Sequence, residues 1–217
     1  MKILNLYAGI GGNRKLWKNC EVTAVEKNPE VAAIYARLYP DDNLIVGDAH
    51  EYLLNHFSEF DFIWTSPPCQ SHSKMIKSGR NRKPRYPDYR LYEEIHLLVY
   101  DFKGFWVVEN VEPYYKPHFP EYIKNIGRHY FWSNFQINQP FEIPEFKNFI
   151  NEQNLTAKQN LMDWLDIHFE ENIYLPGPSG KKNHCPTQVL RNCVHPKMGL
   201  HVYKEFLADK DKKGGLL

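Results

Sequence analysis

Two short stretches combine residue types able to do covalent chemistry. Ser66-Pro67-Pro68-Cys69-Gln70 follows the apolar run from Phe60 to Thr65 and presents a thiol. The two prolines fix the local backbone and remove two amide donors, so the run breaks and Cys69 is delivered to its end. A lone cysteine is commonly a small core residue, but one set just beyond a strand is a candidate nucleophile. Phe105-Trp106-Val107-Val108-Glu109-Asn110-Val111 is a second apolar run, and it delivers a carboxyl group to the same edge. Burial disfavours the charged form of a carboxyl, so Glu109 is expected to hold a proton near neutral pH. The plainer reading is a salt-bridged structural glutamate. A nucleophile and an acid are the chemistry on offer.

A third cluster suits ligand binding. Tyr7-Ala8-Gly9-Ile10-Gly11-Gly12 joins an apolar run to a helix-like one, and its glycines let the backbone turn tightly and approach a bound group. Position 14 is arginine, so this is not the dinucleotide fingerprint G-x-G-x-x-G. Glu26 ends the next run, where a carboxylate can accept from both hydroxyls of a ribose. Asp48, with Ala49 after it, ends the third and is placed to accept from an adenine amino group. Each acid could equally be a carboxylate favoured by a helix dipole. Three such features at successive strand ends favour an adenosine-bearing cofactor, compact and without phosphates, such as S-adenosylmethionine.

These residues need a scaffold that gathers strand ends. Lys2 to Tyr7, Glu21 to Glu26, Asn43 to Gly47, Phe60 to Thr65, Phe105 to Glu109 and His129 to Phe135 read as strands. Asn13 to Lys18, Pro29 to Leu38, Ala49 to Phe57, Leu91 to Phe102 and Pro120 to Asn125 read as helices, with Asn28 as N-cap and Pro29 in the first turn of its helix. The alternation predicts an α/β fold with a parallel sheet covered on both faces. Ligands of such sheets bind beyond the carboxyl ends of the strands. Residues 1–135 form the expected cofactor-binding and catalytic domain. Residues 136–186, with prolines from Pro140 to Pro186 and an amphipathic segment from Thr156 to Phe169, read as a small insert with a loop at Pro176 to Gly180. Residues 187–217 return to the first domain through a helix-like pattern from Thr187 to Leu207, and Asp209 to Gly215 is expected to fray.

Composition narrows the class. With 217 residues, 42% hydrophobic and 24% charged, the chain is an ordinary globular one, not a disordered, collagen-like or coiled-coil sequence. A net charge of +1 is not that of a wholesale basic coat. Cys20, Cys69, Cys185 and Cys193 form no C-x-x-C pair and no disulfide framework, so no metal is expected and a reducing compartment is. Asn5 interrupts the first apolar run and glycines end it, which speaks against a signal peptide. Nothing approaches the roughly 20 apolar residues of a membrane span. The expectation is a soluble cytoplasmic protein with no membrane partner.

The motifs together resemble the cytosine C5-methyltransferase family. The likeness runs in order through the Tyr7 to Gly12 turn, Glu26, Asp48, Pro68-Cys69-Gln70, Glu109-Asn110-Val111 and Arg128 in Gly127-Arg128-His129-Tyr130-Phe131. Arg191-Asn192-Cys193-Val194-His195-Pro196 is similar to the family's closing motif, and the compact form to short phage or prophage members, in a prokaryotic cell or phage-infected host. The resemblance implies a Rossmann-like S-adenosylmethionine-dependent fold with a reduced target-recognition insert, S-adenosylhomocysteine as a product, and methylation of cytosine C5 in DNA, with a restriction partner undetermined. It implies that Cys69 adds to C6 of a flipped cytosine, that Glu109 acts at N3 and that Arg128 holds the carbonyl oxygen. It further implies that Tyr7 to Gly12, Glu26, Lys27, Asp48, Ala49, Pro68, Asn192 and Cys193 hold the cofactor. Three departures touch binding: Lys27 stands where the family often has an aromatic, Ile126 where a first arginine is expected, and Arg191 where a glycine is.

The segment Ser71 to Arg90 is net +6 in twenty residues, leaving net −5 elsewhere. Such runs are commonly solvated faces. Beside Cys69, though, Gln70, Ser71, Lys74, Lys77, Arg80, Arg82, Lys83 and Arg85 become candidates for contacts with duplex DNA. Four to six phosphate contacts would give a slope of log affinity against log salt of about −4 to −5. Limited or very short sequence specificity, or dependence on a partner, is expected from so small an insert. Methylation of a tRNA cytosine, or a catalytically silent DNA-binding subunit, are the alternatives. An amino-group methyltransferase would carry an aromatic residue where Cys69 stands.

Overall fold

The computed structural model describes residues 1–74, 86–126, 129–138, 142–146, 154–175 and 185–214. Among the described residues its centre is a seven-stranded sheet, with Asn43–Val46 at one edge, then Glu21–Glu26, Lys2–Leu6, Phe62–Thr65, Phe105–Val111 and His129–Ser133, and Ile123–Ile126 at the other edge. The strands are β1 (Lys2–Leu6), β2 (Glu21–Glu26), β3 (Asn43–Val46), β4 (Phe62–Thr65), β5 (Phe105–Val111), β6 (Ile123–Ile126) and β7 (His129–Ser133). The helices are α1 (Pro29–Leu38), α2 (Ala49–His56), α3 (Arg90–Tyr100), α4 (Leu155–Leu165), α5 (Gln188–Arg191) and α6 (Pro196–Gly214). β1 to β5 pair in parallel, and strand order reverses between β1 and β4, which opens the crevice typical of doubly wound sheets. This is a Rossmann-like α/β fold.

Alternation along the strands sends side chains to two cores. Ile3, Val22, Phe62, Trp64 and Val107 face one way and are covered by Met198, Val202, Tyr203 and Phe206 of α6. Leu4, Leu6, Ile63, Trp106 and Val108 face the other, beneath Leu53 of α2 and Leu91, Ile95 and Leu98 of α3. Helix α1 begins as its residues dictate: the Asn28 side chain accepts from the Glu30 and Val31 amides and Pro29 occupies the first turn. Leu161, Met162 and Leu165 of α4 pack with Ile10, with Val31 and Ile34 of α1, and with Val189 and Leu190 of α5.

Several expectations need correction. Residues 12–16 are turns, not the helix expected from Asn13 to Lys18. The space over β1 is taken by α6: Trp17 stacks on Tyr203 at 5.4 Å and donates to the Gly199 carbonyl at 3.1 Å. A side chain at Gly199 would run into the Asn13 backbone. Asn5, which breaks the apolar pattern of β1, is fully buried and accepts from Asn13 Nδ2 at 2.8 Å. Pro120 to Asn125 is not a helix but a single 3-10 turn followed by β6. The sheet is not wholly parallel, since β7 runs antiparallel to both β5 and β6. The pattern from Thr187 to Leu207 is two helices, broken before Pro196. The C-terminal charges do not fray at Asp209: α6 continues to Gly214, with Lys213 bonded to Asp209 at 3.1 Å and lying over the Phe105 ring. No helix among the described residues is long and apolar enough to cross a membrane.

Candidate active site

The glycine turn is shaped by what lies on either side of it. Tyr7, Gly9 and Gly11 all have positive φ, a conformation that favours glycine and strains tyrosine. Tyr7 is anchored by its hydroxyl, which donates to Glu94 Oε1 at 2.5 Å. Ala8 and Ile10 are buried, Ala8 beside Ala24 and Tyr35 and Ile10 among α1, α4 and α5 side chains, while a Cβ added at Gly9 would meet open space. Gly11 lies under the Tyr35 and Tyr39 rings, and Tyr39 donates to its carbonyl at 2.8 Å. A Cβ at Gly12 would collide with the Val194 carbonyl and Cys193. The closing segment therefore rests directly on the turn. Asn192 is exposed beside it.

Both expected acids lie at strand ends. Glu26 accepts from the Gly9 amide at 3.0 Å and the Asn28 amide at 2.8 Å, one on each oxygen. Each oxygen keeps a further lone pair for a ribose hydroxyl. Asp48 is the N-cap of α2, accepting from the His50 and Glu51 amides, and its other oxygen bonds Lys27 Nζ at 3.0 Å. Lys27, then backbone amides, hold its carboxyl below the ordinary carboxylate range. Ala49 lies in the core beneath β1 and β2, so its side chain is no ligand. An open glycine shelf beside two oriented carboxylates suits an uncharged ribose and adenine.

Cys69 opens a 3-10 turn whose carbonyl accepts from the His72 and Ser73 amides. It is partly exposed, between exposed Pro68 and exposed Gln70. Asn110, itself buried, donates to the Pro67 carbonyl at 2.9 Å. That bond ties the Pro-Pro-Cys turn to the strand carrying Glu109. Glu109 is 9% exposed and bonded to His129 Nδ1 at 2.7 Å. Cys193, by contrast, is desolvated against the turn, and burial pushes its thiol up to about 12. A raised thiol pKa favours its neutral form, and its side chain packs against Gly12.

The base of the segment following Cys69 is clamped. Ser71 Oγ accepts from the Asp88 amide, the His72 ring bonds the Tyr115 hydroxyl, and Lys74 pairs with Glu112 at 2.6 Å. Tyr86 and Tyr89 are exposed alongside. Lys77, Arg80, Arg82, Lys83, Arg85 and Arg128 lie outside the described residues, as does the expected loop Pro176 to Gly180.

Sequence reasoning missed one buried network. Glu94, wholly inaccessible, accepts from Tyr7, from Thr65 Oγ1 at 2.7 Å, and pairs with His50 Nδ1 at 3.1 Å. It lies where β1 and β4 diverge and joins four elements. The hydrogen bond to Glu94 raises the His50 pKa. A glutamate inside an amphipathic helix carries no local mark of this role.

A model of the C-5 cytosine-specific DNA methylase family matches residues 1–131. The chain belongs to that family. Among curated proteins it is similar to a tRNA (cytosine(38)-C(5))-methyltransferase of Spodoptera frugiperda, with 30% identity across 48% of this chain and 36% of the relative. Among solved structures it is similar to a mutant of Spodoptera frugiperda DNMT2, with 29% identity, 51% of this chain and 35% of that one covered, and a TM-score of 0.37. A putative DNA modification methyltransferase encoded within a prophage of E. coli gives 20% identity, 56% and 35% coverage and a TM-score of 0.38. The chain spans about a third of the length of the curated relative it matches.

Proposed function

We propose that this C5-methylase family member transfers a methyl group from S-adenosylmethionine to C5 of a cytosine in DNA. The observation that carries the reading is the Asn110–Pro67 bond, which holds a partly exposed thiol turn against the strand bearing a nearly buried carboxyl. Tyr7 to Gly12, Glu26 and Asp48 would bind the cofactor, with Pro68, Asn192 and Cys193 bordering it. When bound, the cofactor supplies an electrophilic methyl group. The protein's part is to make C5 nucleophilic.

Cys69 thiolate adds to C6, forming a carbon–sulfur bond and pushing the ring electrons toward N3, where Glu109 delivers a proton. C5 becomes enamine-like and takes the methyl group. Loss of the C5 proton to a base then restores the ring electrons, N3 returns its proton to Glu109, and the carbon–sulfur bond breaks. Arg128 would hold the cytosine carbonyl oxygen. A cytosine within a duplex must be swung out at a cost of about a few kcal/mol. Contacts from Gln70, Ser71, Lys74 and the cations at 77, 80, 82, 83 and 85 would offset that cost.

The 30% identical relative is named for a tRNA cytosine, and this favours RNA as a second substrate reading. Tritiated methyl transfer to duplex DNA, single-stranded DNA and tRNA, with Cys69→Ala alongside, tests both. Label in duplex DNA that Cys69→Ala abolishes supports the proposal. Label in tRNA alone moves the substrate to RNA. Undiminished transfer by Cys69→Ala removes the covalent step.

A further inference from the structure

We infer that His129 is a positioning residue for Glu109, holding one carboxyl oxygen so that the other meets the pyrimidine. The inference rests on the methyl-transfer reading above. In the antiparallel β5–β7 pair Val111 lies opposite His129 and Glu109 opposite Phe131. Residues 109 and 129 are therefore diagonal neighbours on one face, within reach of each other's long side chains. His129 Nδ1 is 2.7 Å from Glu109 Oε1, and the pair is mostly screened from water, with side-chain exposures of 22% and 11%. A glutamate has three rotatable bonds, and an acid serving N3 must be fixed in a single arrangement. An ionised carboxylate only accepts, so Nδ1 carries the proton of this bond whenever Glu109 is charged.

The pairing bears on the addition step. As Glu109 gives its proton to N3 it becomes a carboxylate in a poorly solvated site. The His129 N–H then stabilises that new charge without itself leaving the ring. When the C5 proton is lost and sulfur departs, N3 returns its proton to Glu109, and the pair is restored. Among the described charged and titratable groups around this edge are Cys69 on the adjoining turn, the Lys74–Glu112 ion pair, and Tyr130, whose hydroxyl donates to Glu112.

The test uses the full chain and whichever of the three nucleic acids accepts label. Wild type against Cys69→Ala first establishes whether the transfer reading stands, independently of His129. His129→Ala should then lower kcat by about 10- to 100-fold with the KM for S-adenosylmethionine unchanged. His129→Asn, whose amide nitrogen can replace Nδ1 as donor, should recover most of that loss and alter the pH–rate profile. Wild-type kcat in His129→Ala, or equal damage in the Asn and Ala variants when both melt like wild type, overturns the inference. Should the His129 variants not fold, 15N-histidine NMR of the wild-type protein beside Glu109→Gln and Cys69→Ala decides. The His129 Nδ1 resonance should move in Glu109→Gln and stay fixed in Cys69→Ala, and a resonance indifferent to Glu109→Gln refutes the pairing.

Discussion

Cys69 is partly exposed on a 3-10 turn, whereas the Cys193 side chain packs against the glycine turn at Gly12. Desolvation favours the neutral form of Cys193, with its thiol pushed up to about 12. Iodoacetamide at neutral pH should leave Cys193 unmodified in the folded protein and label it after denaturation, as read by peptide mass spectrometry. Gly12 is a second residue on which this contact depends. Gly12→Ala should destabilise the protein by about 1–3 kcal/mol and weaken S-adenosylmethionine binding in a calorimetric titration, because the new methyl displaces the Val194 carbonyl. Residue types and their local spacing made Cys69, Glu109, Asn28 and Asp48 legible. His129 and Glu94 were not legible, because their partners lie 20 residues away for His129 and 29 to 87 for Glu94. A histidine or glutamate looks ordinary until the sheet brings its partner alongside.

At the level of elements, the site is a junction between two strand ends. Asn110 is buried and spends its amide on the Pro67 carbonyl. Asn110→Ala leaves that carbonyl without its donor, at a cost of about 1–3 kcal/mol. It should also slow methyl transfer more than it weakens cofactor binding, as separate kcat and binding measurements would show, since the tether joins the thiol turn to β5 rather than to the glycine turn. The strands that form this junction were readable because their apolar runs end sharply at Pro67 and after Glu109. Strand β6 was not, because Ile123-Lys124-Asn125-Ile126 is short, lies at the sheet edge and follows a proline that resembles a helix start. The turns at residues 12–16 were misread for a related reason. Asn13 spends its side chain on buried Asn5 and Trp17 is claimed by α6, so contacts distant in sequence override local helical preference.

For the whole molecule, the Glu94 cluster links global stability to pH. The His50 pKa is raised in the fold, chiefly by its bond to Glu94, so this contribution is complete below the ordinary value of about 6.5 and is lost as pH climbs through the raised one. Desolvation lowers the pKa of His72 and His195, and these two work in the opposite direction, favouring the fold as pH rises. The test is therefore a difference: wild type should exceed His50→Gln in Tm most at pH 5.5 to 6, with the gap closing by about pH 8. The doubly wound arrangement was legible from the alternation of runs. Which helix would cover β1 was not, since it comes from the far end of the chain. That arrangement has a consequence for synthesis. The Trp17–Gly199 bond spans 182 residues, and Phe206 fills the same core as Ile3. A ribosome that has delivered the chain as far as Ser133 has made every described strand of the sheet but not the helix that lies over one side of it. The nascent protein must wait for α6 before that half of the interior is dry.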